Sequence, residues 1–145
     1  MEIRCPHCTQ RNRINPEKLA ANAVCGKCRA PLLNGPLDVD GHDLEELIED
    51  SALPVLVDFW APWCAPCRGF APTFKTAAAK FGGRLAFVKL DTEAHPAAGQ
   101  AFNIRSIPTL AVFHRGKELG RVSGALPMPA LEKLIQDVLA QIPTP

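Results

Sequence analysis

The sequence predicts an α/β domain, a mixed central sheet with helices on both faces, preceded by a small cysteine-rich module. Three observations carry that prediction. From residue 37 onward, apolar β-branched runs alternate with segments of helical period. The last two runs are joined by a short Gly-containing turn. Residues 1–35 hold four of the six cysteines but no sustained apolar period. Runs buried on both faces and separated by helices imply strand–helix–strand units, and a terminal hairpin makes the sheet mixed.

Taken in order, residues 1–35 are rich in Cys, Asn, Arg and Pro. They cannot bury enough surface to fold unaided and need a staple. Leu37-Asp38-Val39 reads as a short strand. Asp40 or Asp43 is placed to cap a helix with Leu44, Leu47 and Ile48 on one face. Pro54 to Trp60 reads as a strand buried on both faces. A helix opens near Cys64 and runs to Phe81, with Pro72 inside it as a kink and Gly82-Gly83 as its stop. Leu85 to Asp91 is a second buried strand. His95 to Phe102 forms a short helix with Pro96 in its first turn. Thr109 to His114 is a third buried strand, and Arg115-Gly116-Lys117 turns it into Glu118 to Ser123. The last helix opens at Leu126-Pro127-Met128-Pro129, with Leu131, Leu134, Ile135 and Val138 as its inner stripe. The order from residue 37 is βαβαβαββα. The predicted units are residues 1–35 and 36–145.

Composition narrows the function. A chain of 145 residues is one ordinary domain, or one small domain plus an appendage, and 47% hydrophobic residues exclude wholesale disorder. The formal net charge is +1, which argues against a general nucleic-acid binder. Charge is uneven: residues 1–35 carry six bases and two acids, the remainder ten bases and thirteen acids. The basic module has no aromatic residue on which a base would stack. The run Asp38 to Asp50 has seven acids and no base and reads as a solvated helix face. No apolar stretch suits a secretory signal or a membrane span. The expectation is a cytoplasmic monomer that engages neither membrane nor nucleic acid.

Every cysteine belongs to a Cys-x-x-Cys pair: Cys5/Cys8, Cys25/Cys28 and Cys64/Cys67. In a reducing compartment such pairs indicate metal binding or redox catalysis. The pair in Trp63-Cys64-Ala65-Pro66-Cys67 sits where a buried strand gives way to a helix. Free amides and the positive end of the helix dipole there favour a thiolate on Cys64, the expected nucleophile. Cys67 lies one turn later on the same face, within reach for a disulfide. Half of a metal site, or plain core packing, is the alternative reading. The outer pairs are separated by the sixteen residues Thr9 to Val24, within the spacing of zinc ribbons. Four thiolates on two tight turns suit tetrahedral Zn²⁺, with Gly26 allowing a knuckle whose amides point at sulfur. Two disulfides, an iron–sulfur cluster or free thiols are the alternatives. With four cysteines as ligands, His7 is a bystander. His42, His95 and His114 carry no readable role.

The segment Asp58-Phe59-Trp60-Ala61-Pro62-Trp63-Cys64-Ala65-Pro66-Cys67 closely resembles the active-site segment of the thioredoxin family. Ile107-Pro108-Thr109 resembles its cis-proline loop, and Gly124-Ala125 its substrate-groove glycine. The outer pairs, with Asn12-Arg13-Ile14 between them, resemble the zinc-binding thioredoxins of bacteria, the thioredoxin 2 type. The resemblance implies a thioredoxin fold with a four-cysteine zinc-ribbon-like module, and no tightly bound organic cofactor. It implies a protein-disulfide reductase recharged by NADPH through thioredoxin reductase. Its clients would include ribonucleotide reductase and sulfoxide or peroxide reductases. Asp58 matches the buried aspartate behind the cysteine pair. A carboxyl in a buried strand should have a raised pKa and can take the proton of Cys67. Lys89 matches the lysine that pairs with that aspartate. Pro108 would be cis. Trp63, Ala65, Pro66, Ile107, Pro108 and Gly124 would form a flat apolar surface on which an extended client strand docks. The family's usual dipeptide between the cysteines is Gly-Pro, so Ala65 is a departure. A disulfide oxidase or isomerase, and a zinc-dependent redox sensor or holdase, are the rival readings.

Overall fold

The computed structural model describes residues 1–142; the predicted domain end at residue 145 lies outside them. The N-terminal module holds an antiparallel pair, β1 (Glu2–Arg4) and β2 (Arg11–Arg13), and a 3-10 turn at Pro16–Lys18. The remainder follows the predicted order: β3 (Leu37–Asp38), α1 (Gly41–Asp50), β4 (Val55–Trp60), α2 (Ala65–Phe81), β5 (Ala86–Asp91), α3 (Pro96–Ala101), β6 (Thr109–His114), β7 (Lys117–Ser123) and α4 (Met128–Gln141).

The main sheet runs β3-β5-β4-β6-β7. β5 is parallel to both β3 and β4, whereas β6 is antiparallel to β4 and β7. Alternation along β4 divides the core. Val55, Val57 and Phe59 face α1 and the N-terminal module, while Leu56 faces α2 and α4. Asp40, not Asp43, caps α1, accepting from the Asp43 amide at 2.8 Å. α2 continues through Pro72, which removes the hydrogen bond its amide would have given to Arg68. Arg115 and Gly116 both have positive φ, 55° and 80°, as a two-residue hairpin turn requires. Among the described residues, no helix is long and apolar enough to cross a membrane.

The N-terminal module departs from expectation. Ile3, Leu19, Leu32 and Leu33 are buried, and they join the same apolar cluster as Leu37, Leu44, Leu47 and Phe113. The staple of this segment is therefore partly the main domain itself. Ile3, Leu19 and the adjacent Leu32 and Leu33 share no common period, so only the folded knuckles bring them together. β1 lies beside the edge strand β3, and the Ala52 amide donates to the Pro16 carbonyl at 3.0 Å.

Gly82 and Gly83 do more than stop α2. A Cβ on Gly82 would collide with the Leu33 carbonyl, and Gly83, at φ 92°, lies against Ala21. We expect Gly82→Ala to destabilise the chain by about 1–3 kcal/mol through overpacking, read as a lower midpoint in thermal denaturation.

Candidate redox site and four-cysteine cluster

The redox candidate forms where β4 leaves the sheet. Buried β4 points its C-terminal end at the turn Ala61-Pro62-Trp63, and α2 begins at once with Cys64 as its N-cap. The Cys67 amide donates to Cys64 Sγ at 3.2 Å, one of the donors that a helix start leaves unsatisfied. Cys64 and Cys67 form a disulfide, with Cα atoms 5.2 Å apart. Both are nearly buried, at 4% and 2% exposure, whereas Trp63 beside them is 66% exposed. Ala65 and Pro66 are also exposed, so attack is confined to one open rim of the pair.

The loop before β6 closes the other side. Ile107-Pro108 is a cis peptide bond, and the Ile107 carbonyl oxygen lies 3.8 Å from Cys64 Sγ. Gly124, at φ 100°, donates its amide to the Pro108 carbonyl at 2.8 Å. No side chain is excluded there by space, so the positive φ is what calls for glycine. Trp63, Ile107 and Ser106 join α3 residues around an apolar cavity of about 290 Å³ beside the disulfide.

Behind the pair, Asp58 is 1% exposed, and neither carboxylate oxygen has a hydrogen-bond partner among the described residues. Burial pushes its pKa up to about 7, against a weaker opposing pull from Lys89. Lys89 is the register partner of Asp58 on β5, so both side chains leave the sheet on one face. A direct ion pair does not form. The Lys89 ammonium instead lies 4.1 Å from the centre of the Trp60 ring, held by cation–π attraction. The pairing implied by resemblance is thus replaced by a field effect through the protein.

The outer cysteines converge as the spacing predicts. Cys5, Cys8, Cys25 and Cys28 bring their sulfurs within 4.8 Å of one another, and none is in a disulfide. Cys5 and Cys28, and likewise Cys8 and Cys25, are 3.7 Å apart. Four thiolates on a tetrahedral zinc, with bonds of about 2.3 Å, would lie about 3.8 Å apart, so the donor set fits that ion. The two knuckles repeat one geometry. Thr9 and Arg29, each just after its pair, have φ 66° and 65° and donate their amides to Cys5 and Cys25 carbonyls at 3.0 Å. Amides of His7 and Cys8 point at Cys5 Sγ, and that of Lys27 at Cys25 Sγ, each at 3.4 Å. The amide of Cys28, above all, holds the Cys25 thiol down to about 6. Burial raises the Cys5 thiol, but amide bonds outweigh it and the net direction is down. Gly26 is not the left-handed residue of its knuckle.

Asn12 has a role that the sequence did not assign. Its amide nitrogen donates to Cys25 Sγ at 3.5 Å, and its oxygen accepts from the Gly26 amide at 2.9 Å. The signal was its place between the pairs, without a position that marked it as a second-layer group. His7 bonds Asn34 at 2.7 Å and stays outside the sulfur cluster.

Residues 36–137 match the family model described as Thioredoxin. The chain belongs to the thioredoxin family. Residues 4–30 match a second model, described as Thioredoxin 2, N-terminal. The chain is similar to Thioredoxin C-3 of Corynebacterium nephridii, with 42% identity across 97% of each chain. A thioredoxin of Synechocystis sp. is 42% identical, across 70% of this chain and 94% of its own. Among solved structures, a mutant thioredoxin from Halobacterium salinarum superposes with a TM-score of 0.68 and 32% identity, covering 77% of this chain and 96% of that one. The thioredoxin domain here is accordingly a thiol–disulfide oxidoreductase, a protein-disulfide reductase, and its Cys64–Cys67 disulfide fits the active site.

Proposed function

We propose that the chain reduces client disulfides through Cys64, resolves the intermediate through Cys67, and is recharged by an NADPH-dependent thioredoxin reductase. The observation that supports this best is the near-buried disulfide that caps α2 next to an exposed tryptophan and the cis-proline loop. The Cys64 thiolate attacks one client sulfur. The client S–S bond breaks, and the other client sulfur leaves as a thiolate that takes a proton. Cys67 then gives its proton to Asp58 and attacks Cys64 Sγ. The mixed disulfide breaks, the second client thiolate departs, and the client has gained two electrons. Two electrons from NADPH return the pair to dithiols. Lys89 steadies the charged form of Asp58 from across the strand pair. Trp63, Ala65, Pro66, Ile107, Pro108 and Gly124 form the docking surface. Clients of the ribonucleotide reductase and sulfoxide or peroxide reductase kind, a cytoplasmic setting and a monomeric state belong to the same reading. Oxidation of NADPH in the presence of reductase, this chain and insulin tests it. Steady oxidation that depends on the chain is expected; no turnover above the reductase alone would overturn it.

Residues 1–35 serve this domain as a metal module, with Cys5, Cys8, Cys25 and Cys28 as the ligands of one Zn²⁺. When bound, the ion would supply a structural crosslink between the two knuckles. Metal analysis of reduced protein should find about one zinc per chain, and Cys28→Ser should lose it. Metal-free protein after purification under reducing conditions would sink the assignment.

A further inference from the structure

The register of the sheet places a row of charges that runs from the buried acid to the edge strand beside the N-terminal module. Asp58 on β4 is the partner of Lys89 on β5, and Lys89 is the partner of Asp38 on β3. Partners in a ladder leave the sheet on the same face, so Lys89 stands between two carboxylates. One is buried and the other exposed. β1, which carries Arg4, lies beside β3. Arg4, Asp38, Trp60 and Lys89 line a single groove of about 540 Å³ between the module and the sheet. Asp58, Lys89 and Asp38 alternate in sign along the register, and Arg4 adds a positive charge to the same groove.

The remaining charged side chains of this groove are already engaged. Glu2 on β1 pairs with Arg11 on β2 at 3.7 Å. Asp40 caps α1, and Asp43 on α1 lies 3.7 Å from His42. Asp91 of β5 accepts from the amides of Glu93 and Ala94 at 2.9 and 3.2 Å. His95, the N-cap residue of α3, also lines the groove. Among the described residues, the side chains of Arg4 and Asp38 have neither a hydrogen bond nor an ion pair of their own. Their fields are therefore free to act on Lys89, whose ammonium is held on the Trp60 ring within the same groove. Burial raises the Asp58 pKa and the Lys89 charge lowers it.

We propose that Asp38 and Arg4 are positioning residues for the buried acid, setting through Lys89 the pH at which Asp58 takes up and releases its proton. This deepens the reading above and rests on Asp58 as the proton acceptor of Cys67. Asp38 draws the Lys89 ammonium outward, away from Asp58, and so keeps Asp58 protonated to higher pH. Arg4 offsets Asp38 and does the reverse. The module thereby contributes to proton handling in the redox domain, a role separate from metal binding.

The test follows the Asp58 carboxyl carbon by NMR in the full oxidised chain. In the disulfide form neither Cys64 nor Cys67 titrates, so their protons do not obscure the signal. Asp38→Asn should lower the midpoint by on the order of half a pH unit, and Asp38→Lys by more. Arg4→Gln should raise it. In a Lys89→Gln background the Asp38→Asn shift should shrink to a small remainder. An unchanged midpoint in both Asp38 variants, or an undiminished shift without Lys89, would overturn the proposal. The exposed edge position of Asp38 leaves no packing to lose, and Asp38→Lys supplies a second reading of opposite charge. The proton-acceptor reading itself is judged separately, by the rate of the resolving step in Asp58→Asn, so failure of one is distinguishable from failure of the other.

Discussion

Cys64→Ser will bring the reduction of insulin disulfides down to the background of the assay, a loss of more than about a thousandfold. A serine hydroxyl at the α2 N-cap still accepts the Cys67 amide, so the helix start survives and the fold with it. What disappears is the ionisable sulfur, and with it the nucleophile and the disulfide. Cys67→Ser should behave differently. Attack on the client still takes place, but the intermediate cannot be resolved. Mass spectrometry should then find a mixed disulfide between Cys64 and the client, and turnover should stop after one event. Accumulation of that adduct on Cys67 in a Cys64→Ser chain, at the same rate, would reverse the assignment of the two sulfurs.

Asp58→Asn should stabilise the protein at alkaline pH by up to about 4 kcal/mol. The sign follows from linkage. The folded carboxyl has a pKa of about 7, above its ordinary value of 3.8, because burial disfavours the charge. Between these pH values the folded chain holds a proton that the unfolded chain has released. Stability therefore falls as pH rises from about 4 to about 7, and stays at the lower level beyond. Below about 4 both states are protonated, and the carboxyl has no pH-linked cost. Asparagine removes the charge and with it that slope. Denaturant titrations at pH 4 and pH 8 measure the difference. The variant should gain over the parent only at the higher pH, and a parallel offset at both would mean that packing, not charge, is responsible. The same variant should slow the resolving step near neutral pH, because Cys67 loses its proton acceptor. On the proposed role of Asp58, function is held at a cost in stability.

The sheet strands and the long helices are legible in the sequence because their apolar periods dominate the local pattern. Val55 to Phe59 and Ala86 to Leu90 have no competing pattern. The cysteine pairs are legible for a different reason: their chemistry depends on local spacing, which sequence displays directly. The burial of Ile3, Leu19, Leu32 and Leu33 is not legible, since each depends on a partner far along the chain. Asn12 escapes for the same reason, as its role exists only once the knuckle of Cys25 comes beside it. The relation of Lys89 to Asp58 is legible as proximity but not as contact. Which strand neighbours which, and in what register, decides that Lys89 stands between Asp58 and Asp38, and no residue pattern reports register across a parallel crossover. The nearby Trp60 ring then gives the ammonium an alternative seat.

The apolar cluster on the α1 side of the sheet runs from Ile3 to Phe113 without a break. Burial shared across this cluster leads us to expect that the knuckles and the redox domain unfold together. Anything that binds only the folded knuckles then shifts the unfolding equilibrium of the whole chain by mass action. Occupancy of the four outer thiols and survival of the Cys64–Cys67 centre become two readings of a single equilibrium.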